Sequence, residues 1–142
     1  FNFILIGKGL NNLKNKNVQI FSHIAESFKM RLISDSHFLI LTSNLRSEAY
    51  GIVLVEALMQ GKPLLTSDLN TGVTYLNKNE VNGFHFRNNS YEDLLIKTKY
   101  LYDLDKDIYE NISKNNVIKY KKYLTVKIMN DQLSQIYLRF FK

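Results

Sequence analysis

Glu48 and Glu56 are the acids whose setting in this chain most suggests ligand chemistry. Both lie in the stretch from Ser47 to Pro63, SEAYGIVLVEALMQGKP, one just before a predicted helix and one inside it. Gly61 is a natural helix stop, and Pro63 prevents the helix from continuing. If the two acids lay on a single α-helix, a rise of ~1.5 Å per residue would set them about 12 Å apart. That exceeds the roughly 5–5.5 Å between the paired carboxylates of a retaining glycosidase. It suits a grip on two ends of one elongated ligand. Between the acids lie Tyr50, Gly51, Ile52 and Val53, where the helix begins. The free N–H groups and positive dipole end of a helix N-terminus make a seat for phosphate. Two hydroxyl-binding acids around a phosphate seat point to a sugar–diphosphate–nucleoside ligand.

The elements that must position these residues alternate in type. Asn2–Ile6 is a continuous apolar run ending at Gly7-Lys8-Gly9, the pattern of a strand buried on both faces. Val18–Phe21 reads as a second strand, and Ala25, Phe28, Leu32 and Ile33 give helical spacing within His23–Ser34. His37–Thr42 reads as a buried strand, followed by the acid-bearing loop and helix, then by a strand at Leu64–Ser67. Val73–Leu76 forms a short helical turn, and Asn82-Gly83 marks a turn before a strand at Phe84–Phe86. From Ser90 the pattern is helical, with Ser90, Glu92 and Asp93 resembling a helix start. Strands alternating with helices predict an α/β fold: a Rossmann-like parallel sheet with helices on both faces, and a helical tail over about 90–142.

Bulk properties narrow the function classes. The 142 residues suffice for one domain, and 45% hydrophobic content with 13% aromatics supports a packed core rather than a disordered chain. No run approaches the ~18 apolar residues of a membrane-spanning helix. The N-terminal FNFILIGKG has no charged start before its apolar run, as a secretory signal would, and reads as a core strand of a larger architecture. The absence of cysteine excludes disulfides and thiolate metal sites and makes a cytoplasmic protein the default. The net charge of +6 is carried by 15 Lys against 4 Arg. That bias argues against base reading, for which Arg is the favoured residue. A nucleotide diphosphate or an anionic membrane surface fits better. The three histidines, His23, His37 and His85, share no metal-ligand spacing.

Taken together, Ser47-Glu48-x-Tyr50-Gly51, Glu56-Ala57, Gly61 and Pro63, with a buried strand on each side, resemble the E-x7-E signature of family 4 glycosyltransferases. The likeness extends to Phe3–Gly9, Asn17–His23 and Asn82–Phe86, and so covers nearly the whole chain. It implies the C-terminal, donor-binding half of a two-domain GT-B fold, without the acceptor domain and without the first strand–helix unit of the donor domain. Thr71-Gly72-Val73-x-Tyr75-x-Asn77 departs from the commoner pattern of paired glycines followed by a glutamate. It is similar to members that build bacterial surface polysaccharides.

By that resemblance Glu48 is the catalytic-site acid, accepting hydrogen bonds from hydroxyls of the donor sugar, and Glu56 holds the ribose diol. Gly51 and the amides of Ile52 and Val53 approach the diphosphate. Ser47 and Tyr50 line the pocket, Gly7 and Gly9 turn near the donor, and Thr71 and Gly72 form a sugar-facing loop. The implied reaction is transfer from a nucleotide-diphosphate sugar to a glycan or lipid-linked acceptor with retention of configuration, without a metal or other cofactor. The alternative is a truncated, non-catalytic module that binds a nucleotide sugar or a partner. Lys114, Lys119, Lys121, Lys122 and Lys127, interleaved with Tyr120 and Tyr123, suit either a solvated helix face or an anionic membrane. In the family the amphipathic terminal helix, here Ile128–Phe141, crosses back onto the other domain.

Overall fold

The computed structural model describes residues 1–7 and 15–140. It divides into two units, Phe1–Leu32 and Ile33–Lys142. In the first, β1 (Phe3–Ile6) pairs in parallel with β2 (Val18–Phe21), Phe3 opposite Val18 and Ile6 opposite Phe21. The expected burial of β1 on both faces is not found: Phe3 and Leu5 are half-buried while Ile4 and Ile6 are exposed. An apolar run is compatible with two-sided burial but does not impose it, because alternate side chains point to opposite faces. Phe28 of α1 (Glu26–Asp35) meets Phe21 edge-on at 5.5 Å.

The second unit is built on a parallel sheet ordered β3 (Leu39–Leu41), β4 (Leu64–Ser67), β5 (Gly83–Phe86). Every residue of β4, the central strand, is buried. Leu65 stands opposite Ile40 and Phe84, and these apolar side chains pack with Phe86, Leu101 and Ile112 into one core. Leu101 comes from α4 (Tyr91–Tyr102) and Ile112 from α5 (Lys106–Lys119). The alternate residues of the same strands face α2 (Ile52–Met59) and α3 (Gly72–Leu76): Thr66 accepts a hydrogen bond from Asn77 Nδ2, and Leu41 lies beside the start of α2. Helices thus cover both faces of this sheet, as the alternation predicts.

The helix ends have local causes. α2 closes in a Schellman motif, with Gly61 N donating to Leu58 O (3.1 Å) and Lys62 N to Ala57 O (2.9 Å). Gly61 takes φ +68°, and Pro63 leads directly into β4. Ser90 caps α4 by accepting from Asp93 N, and Asp105 caps α5 by accepting from Asp107 N and Ile108 N. The predicted tail is helical but divided. Asp103–Asp105 separates α4 from α5, a π-helical segment follows at Tyr120–Leu124, and extended Thr125 precedes α6 (Val126–Phe140). None of the α6 residues is buried.

Lys119 corrects the reading of the lysine run as one solvated or membrane-facing surface. Its ammonium lies 5.0 Å over the Tyr75 ring and donates to Leu76 O (2.9 Å), Asn82 Oδ1 (3.2 Å) and the Tyr75 carbonyl. Burial, and secondarily Lys78, lower its pKa. Beside it Asn116, fully buried, accepts from Asn82 Nδ2 (2.8 Å) and donates to Lys62 O and Asn82 O. α5 is thereby tied by polar bonds to the chain entering β4, to the end of α3 and to the residue before β5.

In that connection Glu80 adopts φ +63° and donates its N–H to Gly83 O at 2.7 Å. A left-handed conformation costs an L-residue about 1–2 kcal/mol. Glycine removes that cost but adds roughly 0.5–1 kcal/mol of unfolded-state entropy. Glu80→Gly is therefore expected to raise stability by about 0.5 kcal/mol, read as a higher urea midpoint at unchanged slope. A lower midpoint would refute the strain.

Candidate functional site

Of the sequence-predicted acids, Glu48 sits in the turn that follows β3 of the second unit, and Glu56 lies within the helix after it. β3 stops at Leu41, and the chain turns through Ser43 to Glu48, with Glu48 N donating to Leu45 O at 3.1 Å. Gly51 then takes φ +73°, ψ 76° and opens α2 without any side-chain cap. This conformation explains the glycine, since a side chain would be strained there and would press on Leu41 and Leu54. Glu48 therefore lies outside the helix that carries Glu56, and a continuous helical rise does not describe their separation. Glu56 is half-buried on α2, with Oε2 shielded from solvent.

A cavity of about 210 Å³ is lined by Ser43, Asn44, Leu45, Ser47 and Glu48. It opens at the C-terminal end of β3, the edge at which ligands bind in open parallel α/β sheets. Hydrogen bonds from every neighbouring exit hold its wall. Ser43 Oγ donates to Glu48 Oε2 (3.1 Å), and Ser67, the last residue of β4, donates to the Ser43 carbonyl. Thr71 Oγ1 donates to Glu48 O (3.0 Å) while accepting from Val73 N as the cap of α3. Beyond β5, Asn88 donates to Asn44 O, and Asn44 Nδ2 donates to Asn89 Oδ1, both at 3.1 Å.

Of the residues singled out from sequence, Ser47 and Glu48 line this cavity. Thr71 is bonded to the Glu48 backbone, and Gly72 packs beneath Ala49 and Tyr50. Tyr50 is partly exposed; burial, with Tyr75 nearby, raises its phenol pKa. Ile52 is exposed and Val53 half-buried in the first turn of α2. Gly7 belongs to the first unit, where its N–H extends the β1–β2 ladder to Phe21 O (3.0 Å). Gly9 lies outside the described residues. His85 Nε2 is hydrogen-bonded to the Asn77 carbonyl, and no group of three His, Cys, Asp or Glu side chains is gathered among the described residues. Sequence reading missed Ser43 and Asn44. Ser43 carried one local signal, a hydroxyl just past a strand end and five residues before the acid. Asn44 carried none, because its partners are 44 and 45 residues away.

Comparison with known proteins places the fold and the family. Over 62 residues the chain is 39% identical to the D-rhamnosyltransferase WbpZ of Pseudomonas aeruginosa, covering 44% of this chain and 16% of that protein. A glycosyltransferase from Rickettsia africae superposes with a TM-score of 0.85 at 21% identity, over 100% of this chain and 40% of its own. Anabaena Alr3699/HepE, solved in complex with UDP-glucose, superposes with a TM-score of 0.80 at 21% identity, over 97% of this chain and 41% of its own. The chain thus spans less than half the length of each of these proteins. Residues 6–120, well over half of the chain, match the family described as glycosyl transferases group 1, and the chain belongs to that family.

Proposed function

We propose that this chain is the donor-binding portion of a retaining glycosyltransferase. It takes a nucleotide-diphosphate sugar and serves transfer to a glycan or lipid-linked acceptor in cell-envelope polysaccharide synthesis, the acceptor being held by a further domain. The observation that carries the proposal is the junction of cavity and helix: the Glu48 turn, with its carboxylate at the cavity, runs through left-handed Gly51 into the uncapped start of α2. A cavity of about 210 Å³ is smaller than the ~300–1,000 Å³ of a full ligand site and matches part of a ligand. Glu48 accepts from sugar hydroxyls, the amides of Ile52 and Val53 receive the diphosphate, and Glu56 accepts from the ribose diol. A nucleotide diphosphate is already a good leaving group. Catalysis then rests on orientation and on stabilising developing phosphate charge at the helix start, with no metal required. The HepE complex with UDP-glucose supports this donor class. A cytoplasmic position at the inner membrane face fits the exposed Lys121, Lys122 and Lys127 and the exposed Met129, Leu133 and Ile136 of α6. Among the described residues no helix is long and apolar enough to cross a membrane.

Calorimetric titration with UDP, GDP, ADP and CDP and their sugar conjugates tests the proposal. One nucleotide series is expected to bind. A hydrogen bond to a charged group contributes about 1.5–3 kcal/mol, so Glu56→Ala should weaken nucleotide and conjugate alike by roughly tenfold or more. Glu48→Gln should weaken the conjugate alone. Failure of every nucleotide to bind would overturn the proposal.

A further inference from the structure

Resting on that donor-site reading, we propose that Ser43 is a positioning residue for Glu48, and that the pair selects donor sugars presenting neighbouring free hydroxyls. Two hydroxyls at adjacent exits from the sheet bond Glu48, and a third holds one of them in place. Ser43 Oγ donates to the Glu48 carboxylate at 3.1 Å. Thr71 Oγ1 donates to the Glu48 carbonyl at 3.0 Å, and Ser67 Oγ donates to the Ser43 carbonyl. Ser67 is a buried residue of β4, so Ser43 is held from the rigid centre of the sheet. Glu48 is thus fixed at its side chain by Ser43 and at its backbone by Thr71. Each contact comes from a different element, so the aim of the carboxylate is set by the fold rather than by its own rotamer preference.

The direction of these bonds sets the selectivity. A hydroxyl has one donor proton and two acceptor lone pairs, and an ionised carboxylate only accepts. Ser43 spends its proton on Glu48, so both side chains turn only acceptors to the cavity they line. A sugar edge with two adjacent hydroxyls can satisfy both. A deoxy position would leave one of them desolvated and unpaired, which is where hydrogen-bonding sites discriminate most strongly.

The test is titration of the chain with UDP-glucose and GDP-mannose, and with UDP and GDP as references. Ser43→Ala is expected to weaken the bound nucleotide sugar about tenfold and leave the free diphosphate unchanged. Ser43→Thr, which keeps the hydroxyl, should restore binding, and Ser43→Ala should cost clearly less in a Glu48→Gln background than in the parent, because only the direct contact is then left to lose. Equal losses for diphosphate and conjugate, or a lowered melting temperature without rescue by threonine, would mark Ser43 as merely structural and overturn the inference. If Glu48→Gln loses the sugar while Ser43→Ala does not, Ser43 is excluded and the donor site stands. If neither these four probes nor ADP, CDP and their sugar conjugates bind, the donor-site reading fails and takes this inference with it.

Discussion

Gly83→Ala is expected to cost about 4 kcal/mol or more of stability, among the largest single-residue losses a small domain shows. A Cβ on Gly83 would fall 1.9 Å from Leu64 O, 2.5 Å from Leu64 N and 2.6 Å from Leu64 C. Ordinary contact begins near 3.4 Å, so β5 would have to retreat from β4 by more than an ångström. That retreat opens the register at the centre of the sheet, where Gly83 pairs with Leu64 and Phe84 with Leu65. The colliding atoms are backbone, and β4 is buried throughout, so neither strand has a side chain to rotate aside. Native stability is only about 5–15 kcal/mol, so the loss would remove a large share of it. Gly61→Ala is the useful contrast. It also meets an atom too closely, at 2.7 Å, but that atom is Ser113 Oγ, which can rotate. Urea unfolding should show the Gly83 variant far below the Gly61 variant. A Gly83 midpoint near the parent's would contradict the close packing of β5 on β4.

The difference between these glycines shows what local sequence carries. Gly61 was legible as a helix stop because its requirement is a left-handed residue one position past the last turn of α2. Asn82-Gly83 was legible as a turn, yet the stronger constraint on Gly83 comes from Leu64, on a strand distant in sequence. The same division runs through the site. Glu48, Gly51 and Glu56 share one short segment and could be read together. The bonds that aim Glu48 come from Ser43, within reach of sequence reading, and from Thr71, 23 residues away. Lys119 was misplaced for the same reason. Its partners, Tyr75, Leu76 and Asn82, are 37 to 44 residues away, and no periodicity within the lysine run records them. Helix existence in the tail followed from pattern, whereas its interruptions depended on caps such as Asp105.

Gly72→Ala is expected to lower nucleotide-sugar affinity by roughly 100-fold while leaving the fold largely intact. Propensity alone predicts the opposite of harm, since alanine is favoured over glycine in a helix by about 0.8–1.0 kcal/mol. Sterics decide otherwise. A Cβ here would lie 2.4 Å from Ala49 O and 2.6 Å from Tyr50 Cδ2. The Tyr50 ring is partly exposed and can swing away. The Ala49 carbonyl cannot, because the preceding Glu48 carbonyl is bonded to Thr71, the cap of the helix that Gly72 begins. Relief therefore requires the Glu48–Gly51 loop to move outward by several tenths of an ångström to an ångström, carrying the carboxylate and the start of α2 together. Loss of a hydrogen bond to the charged Glu48 costs about 1.5–3 kcal/mol, on the order of 100-fold in affinity at the upper end. The loop lies at the sheet edge rather than in the core cluster, so the melting temperature should fall little. Adding Tyr50→Ala to the variant isolates the cause: it removes only the movable contact, and affinity should stay low. Restored affinity in that double variant would transfer the effect to the tyrosine ring, and unchanged affinity in Gly72→Ala itself would show that the loop beneath Glu48 does not set the site.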